Sequence, residues 1–483
     1  MDFDLIVIGS GPGGYKAALN AAHLGARVAL VEKARPGGTC LNSGCVPKKA
    51  LLHIASLIDD INNLQGRGLT GHSFGDFQAA ISHKNSVVEG IRANFPAWLK
   101  RLHVQIFEGC ACARGRTADG RYGIEVEGTN ERVLLEAPRV IIATGARPRP
   151  HPACPADGVH IIYSEDFMAN VSALPRSTLF VGGGAIGVEF AFLFRQFGAE
   201  VTIVESATRL LDKPCVPEHA SDALERKLIK LGVIIRKNTS VAACQQTSDS
   251  VQVTYADGSS GNYERVFVAI GRVPATSGLE LERLGVTVNA QGFIETNQYL
   301  ETMAHGVYAV GDVKEGPMTA NAALHDAKVA AANAVNGNHL QVNYNRVPMV
   351  IDSALEIAVI GLTEERADEA GFTAEVARST FGSSAKARAR NDYEGFIEVV
   401  HDGETGQLLG GCIVGPEAGE QIHMLAAACQ SDRGLWFFAD MNYSHPSWTE
   451  ELENTIDPYT FAFTRSGKTV FRPGIYSGKF SGL

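Results

Sequence analysis

The chain lacks the marks of a membrane-spanning, nucleic-acid-binding or secreted protein. No apolar run in its 483 residues is long enough to cross a bilayer. No signal peptide precedes the first strand pattern, near Asp4. Basic charge is scarce: 43 lysines and arginines stand against 53 aspartates and glutamates, for a net charge of −10. That balance argues against a nucleic-acid partner. The nine cysteines are odd in number and scattered, unlike the framework of a small secreted domain. A reducing compartment, the cytoplasm, is the expectation, and there a retained cysteine pair serves chemistry more often than structure. Cys40 and Cys45 have neither the closer spacing nor the second ligand pair of a zinc site, so no metal is expected. What remains is an ordinary globular composition, 45% hydrophobic and 20% charged, with length for about three domains.

Two glycine turns stand out. Residues 4–8 read as a buried parallel strand. Gly9-Ser-Gly11-Pro-Gly-Gly14 follows, then a helical pattern, then an apolar strand ending at Glu32. This is G-x-G-x-x-G between strand and helix. Its glycines allow a tight turn, close approach of a pyrophosphate, and close helix–strand packing. The helix start takes phosphate and Glu32 can accept from a ribose diol. The unit recurs: residues 179–181 lead into Gly182-Gly-Gly184-Ala-Ile186-Gly187, a helix over 188–197, and a strand ending at Glu205. Each acid follows its first glycine by 23 residues. Two such Rossmann-type units imply two dinucleotides. Glu205 favours NAD over NADP, because a carboxylate there bonds a free 2′-hydroxyl and repels a 2′-phosphate.

Residues 37–49, Gly-Gly-Thr-Cys-Leu-Asn-Ser-Gly-Cys-Val-Pro-Lys-Lys, place two cysteines just before a helical pattern, with Pro47 suited to a first turn. A cysteine at a helix start feels the positive end of the macrodipole, which favours thiolate. Two buried, inert cysteines would fit the same spacing. Apolar strands over 141–145 and 267–271 close the two units. The proline-rich stretch 147–155 reads as a stiff polyproline-type linker. Residues 121–136 and 250–265 alternate like antiparallel hairpins. Asp312 ends a short apolar strand, as a ribose ligand or as a turn residue or cap. From residue 347 an α/β pattern without a glycine turn begins. It contains His445, followed five residues later by Glu450. A carboxylate that near can orient an imidazole and raise its proton affinity. Glu450 could equally be a capping-box residue.

The chain resembles the flavin-dependent pyridine nucleotide–disulfide oxidoreductases over about residues 3–465. Gly37-Gly-Thr-Cys-Leu-Asn-Ser-Gly-Cys-Val-Pro is similar to their redox-disulfide signature. Ala143-Thr-Gly, Tyr308-Ala-Val-Gly-Asp and His445-Pro with Glu450 fit as well. The resemblance implies an α/β fold of two Rossmann-like dinucleotide-binding domains and a C-terminal α/β dimerisation domain. The expected boundaries are 1–148 for FAD, 149–275 for NAD, 276–345 completing the FAD domain, and 346–483 for the interface and an extra tail. It further implies that Gly9, Gly11, Gly14, Glu32, Lys33, Gly38, Thr39, Ala111, Thr144, Gly145, Asp312, Met318, Thr319, Ala320 and Asn321 hold FAD. Gly182, Gly184, Ile186, Gly187, Glu205, Val241 and Gly271 would hold NAD. Cys45 would face the flavin as charge-transfer thiolate and Cys40 would exchange with substrate. His445, oriented by Glu450, would act as acid–base from the other subunit of a homodimer. Glu189 would pair with Lys48 or Lys49, and Lys49 is preferred.

Within that family the implied activity is oxidation of protein-bound dihydrolipoyl groups with NAD+, the partner being a lipoyl carrier. Glutathione-type reduction is disfavoured by Glu205. Mercuric and thioredoxin reduction are disfavoured by the lack of cysteine beyond Cys429, and transhydrogenation by the intact cysteine pair. A non-catalytic flavoprotein role is a further alternative. The chain departs from the pattern at Tyr443, Ser447, Trp448, Asn321 and 353–355. Trp448 and the tail are therefore expected to tune docking to a lipoyl carrier.

Overall fold

A computed structural model describes residues 1–128, 132–170 and 173–466, with side chains through residue 460. The first parallel sheet runs, edge to edge, through Val307–Ala309, Val140–Ile142, Leu5–Ile8, Val28–Glu32 and Gln105–Glu108. Its inner strands are buried on both faces, hence their unbroken apolar sequence. Val307–Ala309 joins this sheet beside Val140–Ile142 from a segment that follows the second glycine unit in the chain. The helices Pro12–His23 and Ala320–Asn336 pack together through small residues, among them Ala17, Ala18, Ala327 and Ala331. Thr319 caps the second of them by accepting from the Ala322 N–H.

The second parallel sheet runs Ile234–Arg236, Glu200–Val204, Ser177–Val181, Arg265–Val268 and Ile161–Ile162. Each Rossmann core carries a three-stranded antiparallel layer, at 110–137 and 241–263. The C-terminal sheet is antiparallel, in the order Met349–Ile351, Ile357–Gly361, Leu408–Val414, Phe396–Asp402 and Ala374–Thr380. Helices Ala418–Cys429 and Glu450–Ser466 pack against it.

The helix Ala185–Gln196 matters most for the site. Residues 187–194 are all buried, and Phe190 and Phe194 stack edge-on or tilted with Phe167 and Phe267. Glu189 lies within this run at 1% exposure. A carboxylate there needs a partner, since burying an unpaired charge costs several kcal/mol.

Three expectations change. Ala146–Pro148 is not a free polyproline linker but a strand, paired antiparallel with Arg272–Pro274, because both segments leave their Rossmann sheets side by side. Trp448 does not face a docking surface. It is 8% exposed, edge-on to Phe381 within the core of the C-terminal domain. The cysteines outside 40–45 are not all isolated: Cys154 and Cys244, 90 residues apart, come together as a disulfide. The tail beyond residue 466 lies outside the described residues.

Candidate active site

One open cavity of about 1620 Å³ runs between the two glycine turns. That exceeds the few hundred to about 1,000 Å³ typical of a single small-molecule site. It is lined by Gly9, Gly11, Glu32, Lys33, Gly38, Thr39, Ala111, Thr144, Gly145, Asp312 and 318–321 on one side. Gly182, Gly184, Ile186, Glu205, Val241 and Gly271 line the other, with Cys40, Cys45, Lys48, Lys49 and Glu189 between.

The two turns are built alike. A Cβ on Gly14 would sit 1.7 Å from the Gly9 carbonyl oxygen, and one on Gly187 would sit 2.0 Å from that of Gly182. These third glycines are packed into the turn and do not line the cavity, so they serve helix–strand contact rather than ligand contact. The middle glycines are open: a Cβ on Gly11 would meet nothing closer than 3.9 Å, and one on Gly184 nothing within 4 Å. Backbone N–H groups at a helix start with clear space before them suit a pyrophosphate. The donor set therefore fits two dinucleotides.

Both acids do more than sequence suggested. Glu32 Oε2 accepts from the Ser10 N–H (2.8 Å) and hydroxyl (2.6 Å), and Oε1 accepts from the Ala34 N–H (2.8 Å). Glu205 Oε2 accepts from the Gly183 N–H (2.6 Å) and Oε1 from the Ala207 N–H (2.8 Å). Each carboxylate thus fastens its own glycine turn while facing the cavity. Ser10, missed in the sequence, also accepts from the Gly37 N–H (3.0 Å), tying the first turn to the cysteine segment. Arg209 is engaged with Asp212 and with the carbonyls of Lys213 and Val216, so it does not offset Glu205. Asp312 caps no helix and has no hydrogen-bond or ion-pair partner among the described residues. Burial raises its carboxyl, against Arg272 and Lys314.

Cys40 lies in the short helix Gly38–Asn42, and Cys45 is the first residue of the helix Cys45–Asn63. Both are thiols in this structure. The Cys40 thiol donates to Cys45, and this bond, with Lys48 and the helix-start N–H assisting against burial, lowers Cys45 to about 7. The same bond and burial raise Cys40. Of the two thiols, Cys45 is therefore the more acidic and the one that forms thiolate first.

The preferred lysine was the wrong one. Lys48 Nζ lies 2.6 Å from Glu189 Oε2. With Cys45 first in the helix, Lys48 (i+3) and Lys49 (i+4) both lie one turn on, and it is Lys48 that reaches Glu189. Lys49 points away to Asp352, and lies 3.5 Å from Glu356. Asp352, which no motif announced, also donates its N–H to Glu189 Oε1 at 3.1 Å.

His445 Nδ1 lies 2.9 Å from Glu450 Oε2. Glu450 is also a capping-box residue: its Oε1 accepts from the Ser447 N–H (3.0 Å), and Ser447 Oγ accepts from the Glu450 N–H (3.2 Å). Both readings of this acid hold, one per oxygen. The imidazole is three-quarters exposed and does not line the cavity of its own chain.

Two family profiles cover nearly all of the chain. Residues 3–327 match the pyridine nucleotide-disulphide oxidoreductase profile, and 347–456 match the dimerisation domain of the same group. The chain belongs to the pyridine nucleotide-disulphide oxidoreductase family. It is 36% identical to a dihydrolipoyl dehydrogenase of Thermus scotoductus, over 93% of this chain and 96% of that one. It is 33% identical to the dihydrolipoyl dehydrogenase of Bacillus subtilis, over 94% and 97%. Among solved structures, LpdA of Mycobacterium tuberculosis superposes with a TM-score of 0.88 at 26% identity, covering 94% and 99%. RclA of Escherichia coli, an HOCl-induced flavoprotein disulfide reductase, superposes with a TM-score of 0.82 at 28% identity, covering 94% and 99%. The family uses FAD and NAD(H), the two dinucleotides that the paired turns fit. Its dimerisation domain makes this chain one half of a homodimer.

Proposed function

We propose that this chain is a cytoplasmic enzyme that oxidises dihydrolipoyl groups on a carrier protein to lipoyl disulfide and reduces NAD+. The observation that carries the reading is the Cys40–Cys45 pair between the two glycine turns, with Cys45 the more acidic thiol. In the oxidised pair, a dihydrolipoyl thiolate attacks Cys40, the Cys40–Cys45 bond breaks, and Cys45 leaves as thiolate beside Lys48 and the helix start. The second substrate thiolate displaces Cys40, which takes a proton as substrate leaves as disulfide. His445 of the partner subunit accepts the substrate protons, with Glu450 fixing its ring through Nδ1. An exposed imidazole outside its own cavity supports that division between subunits. The Gly9 turn, Glu32 and Asp312 would hold FAD, which would supply the electron relay between the dithiol and NAD+. Glu189 keeps Lys48 in place and charged: burial works against the ammonium, and the carboxylate more than offsets it.

The test is NAD+ reduction by dihydrolipoamide and by a reduced lipoylated carrier domain, beside NADP+ and glutathione disulfide controls. Turnover with both lipoyl donors and NAD+ is expected. Reduction of glutathione disulfide without dihydrolipoamide oxidation would overturn the reading.

A further inference from the structure

We propose that Cys154 and Cys244 are a second thiol–disulfide couple, one that closes across the NAD-binding unit and sets its affinity for NAD+. The Cα atoms are 5.2 Å apart, inside the range that a disulfide spans. Backbone contacts hold that approach independently of sulfur. The Cys244 N–H donates to the Ala153 carbonyl (2.9 Å) and the Cys154 N–H to the His151 carbonyl (3.1 Å). The Ala153 N–H donates to His151 Nδ1 (3.1 Å). Neither sulfur lines the dinucleotide cavity, so this couple is separate from Cys40 and Cys45.

The 90-residue loop it closes contains the Gly182 turn, Glu205 and four of the five strands of the second sheet. Its two ends are walls of the cavity. His151, three residues before Cys154, lines it, and so does Val241, three residues before Cys244. A bond between the sulfurs therefore fixes the distance between two walls that face the NAD side. Opening the bond leaves only backbone hydrogen bonds to do so.

Access decides the order of steps. Cys154 is fully buried, among Leu179, Val181 and Val253, while Cys244 is half-buried on an edge strand. The Cys244 thiolate attacks a small disulfide RSSR, forming a Cys244–SR mixed disulfide and releasing RS⁻. The Cys154 sulfur then displaces the second RS⁻. The protein loses two electrons and two protons, and RSSR becomes two RSH. A dithiol or phosphine reverses the change.

The experiment uses the full-length FAD-loaded dimer. It is treated with glutathione disulfide, alkylated under denaturing conditions, and mapped by peptide mass. A Cys154–Cys244 linked peptide is expected, surviving NADH and cleaved by phosphine. Phosphine should raise the KM for NADH, read with a quinone acceptor and no dithiol, several-fold in the parent enzyme and leave it unchanged in the Cys154→Ala/Cys244→Ala variant. NADH reduces the catalytic pair in both arms, so that pair does not contribute to this difference. Should the variant fail to fold, the parent enzyme before and after phosphine carries the test alone. Absence of the linked peptide at saturating glutathione disulfide, or an unchanged KM after its cleavage, overturns the proposal.

Discussion

Replacing Lys48 with methionine removes the cation that shares a helix face with Cys45. Side chains one turn apart have Cβ atoms about 5–6 Å apart. Unit charges at roughly 6 Å attract by about 3 kcal/mol at an effective dielectric near 20. Glu189, 2.6 Å from Lys48, stays behind in this variant, so the whole of that attraction is lost, about two pKa units. Cys45 should rise from about 7 to about 9. At pH 7 the thiolate share of the reduced pair falls from about one half to about one hundredth. The assay is a pH titration of the long-wavelength absorbance of the two-electron-reduced flavoenzyme, a band that requires the Cys45 thiolate. Lys49→Met is the control. Its ammonium is 61% exposed and paired with Asp352, so the titration should not move. Lys48→Met also strands a buried carboxylate, a loss of about 3–5 kcal/mol of stability. Adding Glu189→Gln should restore melting temperature and bring Cys45 part of the way back down, because the Glu189 carboxylate raises it. An unchanged titration in Lys48→Met, or an equal shift in Lys49→Met, would refute the reasoning.

Gly187→Ala puts a Cβ 2.0 Å from the Gly182 carbonyl oxygen, so NAD+ affinity should collapse while bound flavin, counted from its visible absorbance, stays stoichiometric. Trp448→Ala should cost about 3–5 kcal/mol in chemical unfolding as a cavity mutation and leave the KM for a lipoylated carrier domain unchanged in the surviving folded enzyme. His401 is fully buried, with neither ring nitrogen hydrogen-bonded among the described residues, and burial lowers its pKa below 6.5. Below that value the unfolded chain binds a proton that the fold refuses, so stability should fall as pH drops through 6.5 and below. In His401→Phe the melting temperature should lose that part of its pH dependence.

The sequence carried the site as far as local rules reach. G-x-G-x-x-G between strand and helix is a backbone requirement, so both turns and their acids could be placed by spacing alone. The segment 408–414 reads as a strand and is Leu408–Val414 because its alternation is buried on both faces of the C-terminal sheet. The lysine choice failed because i+3 and i+4 both lie one turn from Cys45, and only their tertiary partners, Glu189 for Lys48 and Asp352 for Lys49, separate them. Asp352 could not be found because its partners, Glu189 and Lys49, come from two other domains and share no motif with it. Trp448 looked like a surface departure because its neighbour Phe381 is 67 residues away in the chain. Cys154 and Cys244 meet only once the strand after residue 240 folds back on the segment before 155.

His445 stands outside the cavity that its own chain builds. On the proposed division between subunits, a chain carrying Cys45→Ser and a chain carrying His445→Gln should each be inactive as pure dimers. Mixed together, they assemble pairs in which one cavity receives an intact cysteine couple and an intact imidazole, while the other receives neither. Two dead alleles in one cell would then restore activity to half the cavities of every mixed pair. Beside a healthy copy, either variant would leave one cavity of each mixed pair working. Dilution would act on turnover as a mutation does, because an isolated chain is its own loss-of-function variant.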